Sequence, residues 1–223
     1  MSHELRTPLN CIIGFSEVIK REMFGPLKNA KYSEYVSDIY SSSQHLLAVI
    51  SDILDFSKME AGALPLDESP YDLDRIIAEC LTMIEPKAQE AGVRLVPEIP
   101  KNLPHLLADP LRIKQILINL VSNAVKFTPD DGLIRVSAGL GGGQAIILKV
   151  ADTGVGIAAE DIPHCLGMFG QARQSQNLAH EGTGLGLALT KSLVEQHGGI
   201  LTLGSELNVG TTVTLEFPST RTQ

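Results

Sequence analysis

The chain has 223 residues, of which 43% are hydrophobic, and its formal net charge is −8. This length and apolar content predict a folded protein of one or two domains with a substantial core. Because the charge balance is acidic and no run of Lys and Arg occurs, the composition weighs against nonspecific binding to nucleic acid or to an anionic membrane surface.

The cysteines and the hydrophobic runs predict a cytoplasmic protein. Cys11, Cys80 and Cys165 are far apart and do not have the spacing of a metal site, so we expect reduced thiols. No apolar run approaches the roughly 20 residues that a membrane span needs. The N-terminus also lacks a signal-peptide pattern. We therefore expect no direct membrane contact by this part of the chain.

The first predicted element is a helix over residues 1 to about 24 that carries a candidate nucleophile. Its seam positions recur at spacings of 4, 3, 4, 3 and 4 and are Leu5, Leu9, Ile12, Ser16, Ile19 and Met23. Gly25-Pro26 ends the helix. Near its start, the neutral imidazole of His3 can accept a phosphoryl group, and the carboxylate of Glu4 can take or orient the imidazole proton. By itself, such a pair is most often part of a solvated helix face.

A second helix follows, and it makes a helical hairpin with the first. Its seam positions recur at spacings of 4, 3, 4, 3, 4, 3 and 4 and are Tyr32, Val36, Ile39, Ser43, Leu46, Ile50, Ile53 and Ser57. Leu47 and Leu54 widen the apolar stripe beyond what one hairpin can cover. We therefore predict a homodimer that forms a four-helix bundle. The alternative is that the stripe packs on the second domain.

The helical pattern is broken by Ala61-Gly62-Ala63-Leu64-Pro65 and then by Asp67-Glu68-Ser69-Pro70, so residues 63–70 are predicted to be a linker between domain 1–62 and domain 71–223. Helices are expected from Leu73 to Ile84, from Pro110 to Lys126 and after Gly186. Short strands are expected at 93–98, 133–138, 145–151, 199–204 and 211–217, with a hairpin across 139–143. Asp109-Pro110 supplies a cap residue and a first-position proline to its helix. This pattern predicts an α+β sandwich with helices on one side of a sheet.

The helix from Pro110 carries three polar residues in one row. Asn119, Asn123 and Lys126 stand at i, i+4 and i+7, opposite an apolar face. Amide oxygens are hard ligands for Mg²⁺, and a lysine neutralises phosphate charge, so the row suits a metal-bound polyphosphate. In isolation, a merely solvated polar face is the commoner explanation.

Two glycine motifs flank a long polar segment. Asp152-Thr153-Gly154-Val155-Gly156 follows an apolar strand, and such a carboxylate can accept a hydrogen bond from an adenine amino group. Asp-Thr-Gly also occurs in aspartic proteases, but that interpretation leaves the amide row unexplained. Gly182-Thr183-Gly184-Leu185-Gly186 opens a helix whose free amides can receive phosphate oxygens. It matches neither the dinucleotide fingerprint nor a P-loop.

Together these motifs resemble the two-component sensor histidine kinases over nearly the whole chain. Residues 2–10 resemble the phosphoacceptor box, and residues 119–128 resemble the N box of that family. The resemblance implies a catalytic domain of the GHKL type, the adenine-nucleotide fold shared with Hsp90-type chaperones, type II topoisomerases and MutL-type repair proteins. By that resemblance Asn123 binds Mg²⁺, Asn119 supports it, Lys126 meets phosphate and Phe127 lies beside the adenine.

The segment of about 25 residues between the glycine motifs is expected to be a lid over the nucleotide. Phe169 would be its anchor by the resemblance. The sequence departs from the family here, because Gly167-Met168 replace a frequent Glu-Pro and Gln171 stands where many relatives have an arginine. Arg173 is the candidate for contact with the γ-phosphate.

The resemblance implies that ATP·Mg²⁺ phosphorylates His3, with Glu4 as the general base, and that the phosphoryl group then passes to an aspartate of a response-regulator receiver domain. Thr7, one turn from His3, would position the water that dephosphorylates the regulator. The chain opens directly on the phosphoacceptor box, which favours a longer parent protein with a sensor portion, and any membrane anchor, outside these residues. Two rival hypotheses are a pseudokinase that signals by conformation and an ATPase of the chaperone or repair type.

Overall fold

The computed structural model describes residues 2–23, 25–60, 65–170, 172 and 184–223. The chain divides into two compact units, Met1–Leu64 and Pro65–Gln223. The predicted domain bounds, 1–62 and 71–223 with a linker between them, stay a prediction. Within the described ranges, no helix is long and apolar enough to cross a membrane.

The first unit is a hairpin of two helices, α1 (Ser2–Lys20) and α2 (Ala30–Glu60), which pack against each other. The first helix ends a few residues earlier than the sequence predicts. Glu22 has a φ of 52°, and a residue in this left-handed region cannot continue a right-handed helix. The chain therefore turns before Gly25-Pro26 is reached.

In the predicted seam of α2, from Tyr32 to Ile53, exposed positions alternate with positions that are covered to a greater extent. Ser43 is buried, whereas Ile39, Leu46 and Ile53 are 48%, 49% and 39% exposed. Tyr32 is also exposed and stands seven residues before Ile39. A spacing of seven residues keeps side chains on one side of a helix. Half of the apolar seam of α2 is therefore left uncovered.

The first helix shows the same division. Leu9 and Ser16 are buried, whereas Ile12 and Ile19, which alternate with them in the seam, are exposed. We define the outer face as the exposed apolar seam positions of both helices, namely Ile12, Ile19, Tyr32, Ile39, Leu46 and Ile53.

Over its described residues, the second unit contains seven strands and four α-helices. In chain order these are β1 (Ser69–Tyr71), α3 (Leu73–Glu90), β2 (Arg94–Glu98), β3 (Leu106–Ala108), α4 (Pro110–Phe127), β4 (Leu133–Leu140), β5 (Ile146–Asp152), α5 (Ile162–Cys165), α6 (Gly186–Gln196), β6 (Ile200–Glu206) and β7 (Gly210–Phe217). Five strands form one sheet in the order β2-β4-β5-β7-β6. The β2–β4 pair is parallel and the other three pairs are antiparallel. A separate antiparallel pair joins β1 to β3.

Helices cover one face of the five-stranded sheet. Along β5, Ile146, Leu148 and Val150 are buried, while Lys149 between them is exposed. This alternation is typical of a sheet with one covered face. Helix α4 packs on β4 and β5, α6 packs on β6, and α3 packs on α4. The predicted α+β sandwich is confirmed.

The start of α4 is built as the sequence predicts. The Asp109 side chain accepts hydrogen bonds from the backbone N–H groups of Leu111 (3.0 Å) and Arg112 (3.2 Å), and Pro110 occupies the first turn. These bonds satisfy donors that have no partner within the helix. The cap fixes where α4 begins, and therefore where its row of amides stands.

Candidate nucleotide-binding site

Asn119 joins the middle of α4 to the start of α6. Its amide nitrogen Nδ2 donates to the backbone carbonyl of Gly186 at 2.5 Å and to the hydroxyl oxygen of Thr190 at 2.6 Å. The glycine at 186 allows this approach, because a Cβ there would collide with Oδ1 of Asn119 and would lie 3.0 Å from its Cγ and Nδ2. The polar row of α4 is thus brought against the helix that follows the second glycine motif.

Asn123 stands one turn further along α4 and is half-buried. Its Nδ2 donates to Oδ1 of Asn119 at 3.4 Å, so the two predicted amides lie in contact. This bond engages the nitrogen of the Asn123 amide. Its oxygen is the atom with which an amide binds a hard cation.

Asp152 ends strand β5, as the sequence predicts. One carboxylate oxygen, Oδ1, accepts from the backbone N–H groups of Gly154 (2.8 Å) and Thr211 (3.1 Å). Burial raises the pKa of Asp152, and these two hydrogen bonds oppose that rise in part. Because both backbone bonds use Oδ1, the other oxygen can accept a hydrogen bond from a ligand.

The loop after β5 is held against the end of α4. The backbone N–H of Val155 donates to the carbonyl of Phe127 at 3.1 Å. Gly156 has a φ of 68° and lies against the backbone of Glu206, where a side chain has no room. Both the loop that follows Asp152 and the start of α6 therefore contact helix α4.

Lys126, the last residue of the row, and its neighbour Phe127 lie at the C-terminal end of α4. Lys126 is exposed, and its Nζ lies 5.0 Å from the centroid of the Phe127 ring. Phe127 is half-buried. A cation at this distance from an aromatic face is weakly attracted to it. The lysine therefore stays near the loop that its helix supports.

The segment between the glycine motifs contains the short helix α5, which the sequence did not indicate. Phe169 is 57% exposed, and its contact with the second glycine motif is made by its backbone. A Cβ at Gly184 would lie 2.6 Å from the carbonyl carbon of Phe169. Leu185 is buried and precedes α6, whereas Gly182, Thr183 and the candidate Arg173 lie outside the described residues.

His3, Glu4 and Thr7 all lie in the first turns of α1. Positions 3 and 7 are at i and i+4 and so share one face of the helix. The side chains of residues 2–8 lie outside the description, so the roles of these three residues stay predictions.

Two contributors to the site were missed at the sequence level. Thr190 is buried in α6 among apolar neighbours, and a polar residue in such a position is a usable signal that a partner is near. Thr211 contributes its backbone N–H to Asp152. Every residue except proline has this donor, so the sequence holds no signal for it.

A row of amides, a strand-end carboxylate and a glycine-rich helix start, all arranged around one helix, define the domain as an adenine-nucleotide-binding ATPase domain. Residues 108–221 match the family model described as histidine kinase-, DNA gyrase B-, and HSP90-like ATPase. Residues 1–62 match the His Kinase A (phospho-acceptor) domain. The chain belongs to the histidine kinases and carries the phospho-acceptor and ATPase domains of a two-component sensor histidine kinase core.

Curated relatives are similar to almost the whole chain. It is 46% identical over 221 residues to the non-motile and phage-resistance protein of Caulobacter vibrioides, with 98% of this chain and 26% of that protein covered. It is 44% identical over 219 residues to a sensor-like histidine kinase of Rhizobium meliloti, with 98% of this chain and 42% of that protein covered. The chain therefore spans less than half the length of these relatives.

Solved structures agree with the fold. Full-length ShkA, in complex with AMPPNP, has a TM-score of 0.82 and 33% identity, covering 97% of this chain and 44% of that one. The histidine kinase AdeS of Acinetobacter baumannii has a TM-score of 0.67 and 24% identity, covering 97% of this chain and 98% of that one. The second likeness supports the fold alone.

Proposed function

We propose that this kinase core transfers the γ-phosphoryl group of ATP to His3 and then to an aspartate on the receiver domain of a response regulator. The observation that carries the proposal is that one chain holds two parts of a phosphotransfer system. These are a His-Glu pair on the first turn of a helical hairpin and a nucleotide site whose amides, carboxylate and glycine loop meet around α4.

In the proposed first step, a nitrogen of the His3 imidazole attacks the γ-phosphorus. A nitrogen–phosphorus bond forms while the bond from the γ-phosphorus to the oxygen bridging it to the β-phosphate breaks, and ADP leaves. Glu4 orients the imidazole and takes its proton. Catalysis of this kind depends on positioning and on neutralising the phosphate charges. As ATP is the donor, we place the reaction in the cytoplasm.

The nucleotide is held by groups on both sides of α4. The free oxygen of Asp152 accepts a hydrogen bond from the adenine amino group, and Phe127 lies beside the base. We assign the phosphates to Lys126 and to the backbone N–H groups of the motif Gly182, Thr183, Gly184, Leu185 and Gly186, of which the last three lie at the start of α6. A helix start suits anions because its first N–H groups have no partner within the helix.

The donors on α4 fit Mg²⁺. Among the described residues, no group of three or more His, Cys, Asp and Glu could hold a metal. A cation here would therefore depend on the amide oxygen of Asn123, on phosphate oxygens and on water, a set of hard ligands that Mg²⁺ prefers. Asn119 supports Asn123. When bound, the ion would neutralise phosphate charge.

We further propose that two chains form a homodimer through the outer face. That face presents apolar side chains at seven-residue intervals along α2, with Ile12 and Ile19 beside them on α1. The pattern is that of a helical bundle in which each hairpin covers its partner.

Thr7 would make the enzyme bifunctional. It stands at i+4 from His3, where its hydroxyl can position the water that removes phosphate from the regulator. We expect Thr7→Ala to retain autophosphorylation but to slow regulator dephosphorylation. Equal dephosphorylation by Thr7→Ala and the unmodified chain would exclude this role.

The test of the first step is incubation with γ-labelled ATP and Mg²⁺. The unmodified chain should become labelled, and His3→Ala should bind ATP without acquiring label. His105→Ala is a matched control, because His105 is exposed and pairs with Asp72 in the second unit. Nucleotide binding without label on the unmodified chain would instead favour the pseudokinase. Steady ATP hydrolysis without label would favour the chaperone or repair type of ATPase.

A further inference from the structure

Thr190 is a buried threonine of α6 that belongs to neither glycine motif. It is 1% exposed, and its hydroxyl oxygen accepts from Nδ2 of Asn119 at 2.6 Å. We propose that Thr190 is a positioning residue that acts through Asn119 to orient the amide of Asn123. This inference rests on the proposed Mg²⁺-binding role of Asn123.

The orientation of the Asn119 amide follows from its partners. The carbonyl oxygen of Gly186 can only accept a hydrogen bond, so the atom of Asn119 that faces it at 2.5 Å must be the nitrogen. Thr190 takes the second hydrogen of that nitrogen. With both hydrogens used by α6, the oxygen of Asn119 is the atom that remains to accept a hydrogen bond, and Nδ2 of Asn123 donates to it.

The orientation of the Asn123 amide follows in turn. Oδ1 of Asn119 can only accept, so it selects the nitrogen of Asn123, which lies 3.4 Å away. The oxygen of Asn123 is therefore directed away from Asn119 and kept for a cation. An amide turned by half a rotation would present N–H groups to the metal and could not bind it.

Thr190 accepts the second of the two hydrogen bonds that hold the amide of Asn119. With Gly186 alone, Asn119 would keep one fixed bond and one buried N–H without a partner, which costs free energy and favours a different rotamer. Movement of Asn119 would remove the acceptor that selects the nitrogen of Asn123. The same two bonds join Asn119, which lies one turn before the proposed metal ligand Asn123 on α4, to the start of α6.

The test measures binding of a non-hydrolysable ATP analogue by the 223-residue chain, with Mg²⁺ and with the metal removed by chelator. Thr190→Val keeps the shape of the side chain and removes the hydroxyl. We expect it to lower the Mg²⁺-supported affinity by about tenfold, as is typical for loss of an outer-shell partner, and to leave the metal-free affinity unchanged. Thr190→Ser should restore the Mg²⁺ effect.

Thr82→Val is the matched control, because the hydroxyl of Thr82 bonds the carbonyl of Ala78 within α3. Thermal unfolding reports whether each variant is folded, and Thr190→Ala replaces Thr190→Val if the latter is not. An equal Mg²⁺ effect in Thr190→Val and the unmodified chain overturns the proposal, as does a failure of serine to restore it. If Mg²⁺ does not change the affinity of even the unmodified chain, the Mg²⁺-binding role of Asn123 fails together with the role of Thr190. If Mg²⁺ acts on the unmodified chain and equally on Thr190→Val, only the role of Thr190 fails.

Discussion

The backbone N–H of Asp109 donates a hydrogen bond of 3.1 Å to Nε2 of His197, which joins the start of α4 to the end of α6. His197 is fully buried, and its Nδ1 lies 2.7 Å from the carbonyl oxygen of Leu193. Since Nε2 accepts, Nδ1 carries the proton and the ring is neutral. The Asp109 carboxylate also accepts from the backbone N–H of Asp67, so the segment that enters the second unit is fastened at the same point.

Acid should weaken the fold through His197. Burial lowers the pKa of this imidazole below its ordinary value of 6.5, and the charge of Arg221 adds to the effect. The unfolded chain therefore binds the proton more readily, so the stabilisation is complete above about pH 6.5 and is lost as the pH falls below it. Thermal unfolding at pH 7.5 and pH 5.5 should show this loss. His197→Gln should show a smaller loss, because glutamine stays neutral, and an equal loss in both proteins would contradict the account.

Replacing Gly186 with alanine should damage the nucleotide site. The new Cβ would lie 3.0 Å from two atoms of an Asn119 amide that two hydrogen bonds hold in place. We expect a loss of about 1–3 kcal/mol in the free energy of unfolding, as for other overpacked sites, together with weaker ATP binding. Gly139→Ala in β4 is the control, because a Cβ there meets nothing within 4 Å. Equal effects at the two positions would show that close approach is unimportant at Gly186.

Asp152→Asn should remove adenine recognition and leave the loop intact. The amide oxygen can still accept from Gly154 and Thr211, but an NH₂ group would replace the oxygen that faces the base. We expect ATP affinity to fall by about 10- to 100-fold, in line with the loss of a hydrogen bond to a charged group. The same substitution should lower the affinity for inosine triphosphate far less, because that nucleotide lacks the amino group. Equal losses of affinity for the two nucleotides would exclude a hydrogen bond from Asp152 to the adenine amino group. Asp130→Asn is the control, because Asp130 is exposed.

The outer face should determine the oligomeric state. Ile39→Glu with Leu46→Glu would place charges on two exposed apolar positions that stand seven residues apart. Light scattering should give twice the 24.0 kDa chain mass for the unmodified protein and one chain mass for the variant. Ser42→Glu adds a charge at an exposed position outside the seam and should stay dimeric. A monomeric unmodified chain at micromolar concentration would contradict the dimer.

Local chemistry made part of this structure predictable. The cap at Asp109 involves residues two and three positions away, and the β4–β5 hairpin joins neighbours in the chain, so short patterns were sufficient. Asp152 was recognisable because it follows an apolar strand. The row on α4 was recognisable because helical spacing places Asn119 and Asn123 together.

Other parts depend on distant residues and could not be predicted. The bond from Asn119 to Thr190 spans 71 positions, and no local pattern pairs them. Strand β1 has three residues, one of them Pro70, and proline counts against a strand until its partner β3 is known. Seam spacing also places Ile39 and Ser43 on one stripe of α2, but it cannot say which of them the hairpin covers.

The most direct test of the central claim is the chemical identity and position of the phosphoryl group. After reaction with γ-labelled ATP and Mg²⁺, the label should be lost in acid and kept in alkali, as expected for a phosphoramidate, and mass spectrometry should place it on His3. Acid-stable label, or label on another residue that persists in His3→Ala, would contradict the account.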